Sequence, residues 1–180
     1  MYDSYQACIA LAGAVAKPVV LRPGVGPEGQ YGYDPDELRA AFSARTKLVL
    51  VNTPHNPTGK VFTRDELTFI GSLAVEHDAI ILTDEVYEHL VFDDVQHLPL
   101  AGFPGLRERT IRISSSGKTF SATGWKIGWA LGPAQLITEL IAVKQFLTYV
   151  SGAPFQPAIA RALDRLLEGT AYAAFHRAST

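Results

Sequence analysis

The chain has 180 residues, 47% of them hydrophobic and 19% charged, with a formal net charge of −2. That size and composition suit one globular core, and the charge points to no polyanionic partner, nucleic acid included. The single cysteine, Cys8, cannot close an internal disulfide, so a reducing, cytoplasmic setting is expected, and neither a membrane-spanning run nor a signal peptide at Met1–Ser4 is visible.

Residues Ser4 to Ala16 are rich in alanine and leucine and predict a helix that Lys17-Pro18 stops. Val19-Val20-Leu21 reads as a short strand, and Arg22 to Gly32, full of glycine and proline, as a loop. Asp34 can cap a helix that has Pro35 in its first turn, with Glu37 at capping-box spacing. Lys47 to Val51 is an apolar strand, expected to be covered on both faces. Thr63-Arg64-Asp65-Glu66 is a second capping box, opening a helix that runs to about His77. Ala79 to Thr83 and Thr110 to Ile113 are further strands. Ile127 to Leu131 follows closely enough to pair antiparallel. Helices are expected from Pro133 to about Val150 and from Gln156 to about Gly169, with a helix-compatible tail over Thr170 to Thr180. The alternation predicts an α/β fold, a mainly parallel sheet with helices on both faces and right-handed crossovers.

Three strands end in polar segments. Val51 leads to Asn52-Thr53-Pro54-His55-Asn56-Pro57-Thr58-Gly59, Thr83 to Asp84-Glu85-Val86-Tyr87, and Ile113 to Ser114-Ser115-Ser116-Gly117-Lys118-Thr119. The intervals from Asn56 to Asp84 and from Asp84 to Lys118 are each close to one βαβ repeat, about 30 residues. One sheet edge, where open α/β sheets take their ligands, therefore gathers an amide, a carboxylate, a phenol, hydroxyls and an amine. Each has an ordinary reading too. Asn56-Pro57-Thr58-Gly59 can be a plain turn, Asp84 a solvated strand end, Tyr87 a packing aromatic, Lys118 a surface charge and Lys126 a snorkelling side chain. One ligand uses them all: pyridoxal phosphate, with an aldehyde for Lys118, a ring nitrogen for Asp84, a ring oxygen for Asn56 and Tyr87, and a phosphate for Ser115 and Lys126.

Asn52-x-Pro54-x-Asn56-Pro57-Thr58-Gly59, Thr83-Asp84-Glu85-Val86-Tyr87 and Ser114-Ser115-x-x-Lys118-x-Phe120-x-x-x-Gly124-Trp125-Lys126-x-Gly128-Trp129 together resemble the class I/II, fold-type I aminotransferases. With Tyr2-Asp3-Ser4-Tyr5, Tyr87-Glu88-His89-Leu90 and Gly152-Ala153-Pro154-Phe155-Gln156, the chain is most similar to bacterial enzymes of the succinyldiaminopimelate, kynurenine or glutamine aminotransferase kind. The resemblance implies that Lys118 forms the imine and transfers the proton, and that Tyr2 stacks on the cofactor ring. It implies that Asn56, Asp84, Tyr87, Ser115 and Lys126 complete the shell, and that the Asn56-Pro57 bond is cis. It further implies amino-acid and 2-oxo-acid substrates and a homodimer.

The resemblance covers the central part of the family's large, cofactor-binding domain, so residues 1–180 are expected to be a partial domain without the N-terminal arm or the small C-terminal domain. Also absent are the upstream Gly/Ala-Thr-Glu helix start that binds phosphate and the downstream arginine that binds the substrate carboxylate. The chain by itself is therefore expected to be inactive, unless Arg107, Arg109 or Arg161 replaces that arginine. Two alternatives stay open: a non-catalytic remnant of the fold, and a lyase that cleaves carbon–sulfur bonds by β-elimination. A phosphate-loop nucleotidase is rejected, because Arg112 stands inside a strand where that loop needs its first glycine. A metal site is not expected, because the five histidines show no ligand-like pairing.

Overall fold

The computed structural model describes residues 2–150, 152–169, 172, 174 and 175. Its centre is a four-stranded sheet in the order β1 (Leu48–Asn52), β2 (Ile80–Asp84), β3 (Thr110–Ser115), β4 (Gly128–Leu131). The first three strands run parallel, and β4 returns antiparallel to β3. This is the expected α/β arrangement, and it brings the C-terminal ends of β1, β2 and β3 to one edge.

The helices are α1 (Asp3–Leu11), α2 (Pro35–Ala41), α3 (Arg64–Glu76), the single turn α4 (Ser116–Thr119), α5 (Ala134–Leu147) and α6 (Gln156–Leu167). Register explains the core. Val49 pairs with Ile81 and Val51 with Thr83, so these side chains share one face. On that face Val51 and Ile81 pack with Leu38 of α2, with Leu67, Ile70 and Leu73 of α3, and with Leu100, Phe103 and Leu106. The opposite face carries Leu50, Leu82 and Asp84 and is only half-buried; α1 reaches it at Asp84. β1 is an edge strand and Leu48 is 45% exposed, so coverage of both its faces is incomplete.

The capping box at Thr63 forms as expected. Its hydroxyl accepts from Glu66 N at 3.3 Å, and the Glu66 carboxylate accepts from Thr63 N at 2.7 Å. Asp34 caps α2 by accepting from Asp36 N and Glu37 N. Glu37 does not complete a capping box; its carboxylate takes the Arg22 guanidinium at 2.6 Å instead.

Two elements differ from expectation. Helix α1 ends at Leu11, earlier than Lys17-Pro18 predicts. Gly13 adopts φ +67, with Gly13 N donating to Ala10 O and Ala14 N to Ile9 O, a Schellman stop that only a left-handed residue allows. Val19-Val20-Leu21 forms no strand. Val19 and Leu21 pack against the core while Val20 points out, so burial alternates without a neighbouring strand to pair with. Among the described residues, the pairing nearby is the isolated bridge between Arg22 and Gly32. Most of the tail from Thr170 to Thr180 lies outside the described residues.

Candidate active site

Asn52, Asp84 and Ser115 are the last residues of three adjacent strands, and Lys118 follows Ser115 on α4. The chain around Lys118 is fixed from several sides. Ser116 donates to Ile127 O at 3.0 Å, Thr119 to Ser115 O at 3.4 Å, and Thr123 to Gly117 O at 3.0 Å. A Cβ on Gly117 would lie 3.1 Å from Thr123 Cα, so the close approach of these two backbones favours glycine. Lys118 Nζ then stands 5.6 Å from the centre of the Tyr87 ring, within cation–π range.

Tyr87 Oη accepts a hydrogen bond from Asn56 Nδ2 at 3.4 Å. Asn56 is held in turn by Asn52, whose Oδ1 accepts from Asn56 N at 2.8 Å while its Nδ2 donates to Asp84 O at 3.0 Å. Both Asn56-Pro57 and Thr53-Pro54 are cis, the first as expected. Asp84 Oδ1 accepts from Val86 N at 3.3 Å, and its Oδ2 accepts from the Tyr5 hydroxyl. Tyr2 precedes α1, is 57% exposed and meets Tyr5 edge-on, with ring centres 5.7 Å apart. Ser115 pairs with Gly128 across the β3–β4 ladder, which puts the exposed Lys126, at φ +56, on the same edge. Of the predicted residues, Asn56, Tyr87 and Lys118 are in contact, and Asp84 is joined to Asn56 by Asn52 and to Tyr2 by Tyr5, whereas Ser115 and Lys126 are brought only to the same edge. An open cleft of about 600 Å³ flanks Asn56 and Tyr87, with Pro54, Leu90 and Phe92 among its walls.

Behind Asp84 lies a charged cluster that sequence reasoning missed. Glu85 is fully buried and takes His97 Nε2 at 2.8 Å and Arg112 Nε at 2.6 Å on the same carboxylate oxygen. Arg112 also pairs with Glu88, which accepts from Ser114 Oγ at 2.5 Å. Burial disfavours the Glu85 carboxylate, yet the His97 hydrogen bond and the Arg112 charge outweigh it and hold the group below the usual carboxylate range. The cluster clamps the Glu85–Glu88 turn to β3, and so fixes Asp84 and Tyr87 relative to Lys118. A charge inside the apolar run Thr110-Ile111-Arg112-Ile113 was the available signal, since such a charge needs a buried partner. Asn52 and Tyr5 were equally visible as motif residues, but their contacts cross the chain and leave no local mark.

Arg109 does not lie at this edge. It precedes β3, at the far end of the strand from Ser115, and its guanidinium is engaged by Asp78, Ala74 O and Ala79 O. Arg107 lies beside it in the same turn. Neither is placed to meet a substrate at Lys118. Among the described residues no cluster of histidine, cysteine and carboxylates could hold a metal, and no helix is long and apolar enough to cross a membrane.

The profile described as Aminotransferase class I and II matches residues 1–178. The chain is 55% identical over 166 residues to the Mycobacterium tuberculosis protein named "Probable N-succinyldiaminopimelate aminotransferase DapC", covering 91% of this chain and 40% of that one. It is 48% identical to mouse kynurenine–oxoglutarate transaminase 3, covering 89% of this chain and 36% of that one. Among solved structures, N-succinyldiaminopimelate aminotransferase from M. tuberculosis superposes with a TM-score of 0.88 at 51% identity, over 99% of this chain and 45% of that chain. The Thermus thermophilus aspartate aminotransferase with maleate gives 0.84 at 34% identity, over 97% and 43%. The chain belongs to the class I and II aminotransferases. It spans about 40% of the length of the curated relatives it matches.

Proposed function

We propose that this chain is the cofactor-binding part of a pyridoxal-phosphate-dependent aminotransferase that moves an amino group from an amino acid to a 2-oxo acid. The observation that carries the reading is one sheet edge on which the Lys118 amine faces the Tyr87 ring, with Asn56 on the Tyr87 hydroxyl and Asp84 at the adjoining strand end. The donor set fits the group in kind: an amine suits an aldehyde, a carboxylate a ring nitrogen, a phenol with an amide a ring oxygen, and a hydroxyl with a second amine a phosphate. When bound, pyridoxal phosphate supplies the aldehyde and an electron-accepting ring. Lys118 Nζ would attach the cofactor and move the proton at the substrate α-carbon. Asp84 would keep the proton on the ring nitrogen. Asn56 and Tyr87 would donate to the ring oxygen, Ser115 and Lys126 would hold the phosphate, and Tyr2 would pack on the ring face.

The relatives named above are aminotransferases by name, which puts amino transfer ahead of β-elimination and of a non-catalytic remnant. Their names make N-succinyldiaminopimelate and kynurenine the first amino donors to assay, with 2-oxoglutarate as acceptor. We further propose that the working enzyme is a homodimer, and that residues 1–180 alone, a partial large domain, do not turn over substrate. The test of the central reading is direct. In the complete gene product that carries this chain, added pyridoxal phosphate gives a visible absorbance band, borohydride fixes the cofactor on Lys118, and Lys118→Ala abolishes band and amino transfer together. Recovery of the reduced cofactor on another lysine overturns the assignment.

A further inference from the structure

Tyr5 has no part in the roles assigned above, yet it touches two of the residues that have one. It lies one helical turn after Tyr2, half-buried, and its hydroxyl donates to Asp84 Oδ2. Its ring meets the Tyr2 ring edge-on at 70°. No residue of α1 is buried, so core packing does not seat this helix on the sheet.

The Asp84 carboxylate needs such a partner. The terminal torsion of an aspartate is broad, so the staggered wells that fix other side chains do not fix its rotation. Among the described residues, Oδ1 has only the 3.3 Å contact from Val86 N. The phenol bond on Oδ2 is charge-assisted and belongs to the stronger class of hydrogen bond. Each carboxylate oxygen still keeps a lone pair for a further donor. Burial, with the hydrogen bond and charge of Asp84, pushes the Tyr5 phenol up, so the hydroxyl keeps its proton and remains a donor at any working pH.

We propose that Tyr5 is a positioning residue: its hydroxyl fixes the rotation of the Asp84 carboxylate toward the cofactor's ring nitrogen, and its ring braces Tyr2 against the same cofactor face. The inference rests on the cofactor reading above. Two variants separate its halves. Tyr5→Phe keeps the ring and removes only the donor; Tyr5→Leu removes both.

In the complete gene product, Tyr5→Phe is expected to move the pH midpoint of the visible cofactor band. It should also lower kcat about tenfold with KM within about twofold, the scale of one charge-assisted hydrogen bond. In the cofactor-free protein it should speed amide hydrogen exchange across residues 3–11, with the melting temperature unchanged. Tyr5→Leu should lower kcat further. If the parent forms its band while Tyr5→Phe matches it in band midpoint, kcat and exchange, this inference is overturned and the cofactor reading stands. A parent that forms no band overturns the cofactor reading and the inference with it.

Discussion

Asp84 is gripped at both its carboxylate and its carbonyl. Tyr5 and Val86 hold the side chain, while Asn52 Nδ2 and Thr53 N both donate to the backbone oxygen. A residue fixed this way can keep its place when its charge is removed. Asp84→Asn is therefore expected to fold and still take up cofactor, while kcat falls by about 100-fold or more because the ring loses the charge that holds its proton. Steady-state kinetics beside a cofactor titration check this; a kcat near that of the parent reduces Asp84 to a strand-end residue. Asn52 acts one step back. Its buried carboxamide bridges Asp84 O to Asn56 N, and Asn52→Ala leaves the Asn56 amide without that acceptor. The expected cost is about 1–3 kcal/mol in urea unfolding, together with weaker cofactor binding as Asn56 leaves Tyr87. Unchanged stability and affinity would show that the turn holds itself.

At the scale of elements, the Glu85–Glu88 turn depends on charge rather than on apolar packing. Arg112 of β3 faces two carboxylates of that turn, so Arg112→Met removes the guanidinium from the buried Glu85 and leaves it with His97. The expected loss is about 3–5 kcal/mol, read from denaturant unfolding at neutral pH, and a loss below about 1 kcal/mol would count against the clamp. Acid attacks the same turn. The folded-state pKa of Glu85 is lowered, so the unfolded chain binds its proton more readily, and the stability Glu85 lends is present above the ordinary carboxylate range and lost as pH falls through it. His89 and His55 are held below the ordinary histidine value chiefly by burial, and they too favour the folded state at higher pH. The melting temperature is thus expected to begin falling below about pH 6.5 and to drop more steeply below about pH 4.5. Glu85→Gln should flatten the lower part of that curve; a profile level down to acid pH would contradict the assignment.

Taken as a whole molecule, the 180-residue chain is a sheet and its near face. Among the described residues the far face is half-buried, β1 pairs on one side only, and α5 has no buried residue and exposes Ile141, Val143, Phe146 and Leu147. So much apolar surface and a free strand edge favour association over a monomeric fold. Arg109, the nearest replacement for a substrate-binding arginine in the β2–β3 region, is spent on Asp78 at the wrong end of its strand. The isolated 180-residue chain mixed with pyridoxal phosphate is therefore expected to give weak or no visible band. It should transfer no amino group from glutamate, glutamine or kynurenine to a 2-oxo acid. Turnover by a preparation confirmed by mass to hold only this chain would overturn that expectation and point to Arg161 as the remaining candidate.

What the amino-acid sequence determined by itself was whatever physics acts over a few residues. The apolar runs at Leu48–Val51, Ile80–Leu82 and Thr110–Ile113 dictated strands, the Thr63–Glu66 box started α3, and polar segments placed straight after three strands fixed which side chains reach the shared edge. Gly13 carried the true end of α1 in plain view, but a left-handed stop competes with a proline stop and sequence spacing does not rank them. The tertiary structure alone decided the partners. Glu37 had a local capping role open to it and took Arg22 instead; Val19 to Leu21 had strand character and no neighbour to pair with; Arg112 met Glu85 and Glu88 because β2 and β3 lie side by side, and His97 reached Glu85 by the path of the segment between them. The hydrogen bond from Tyr5 to Asp84 joins residues 79 positions apart. Periodicity, caps and turns are set by neighbours in the chain, whereas the choice of partner for a buried polar group is set by which surfaces the fold presses together.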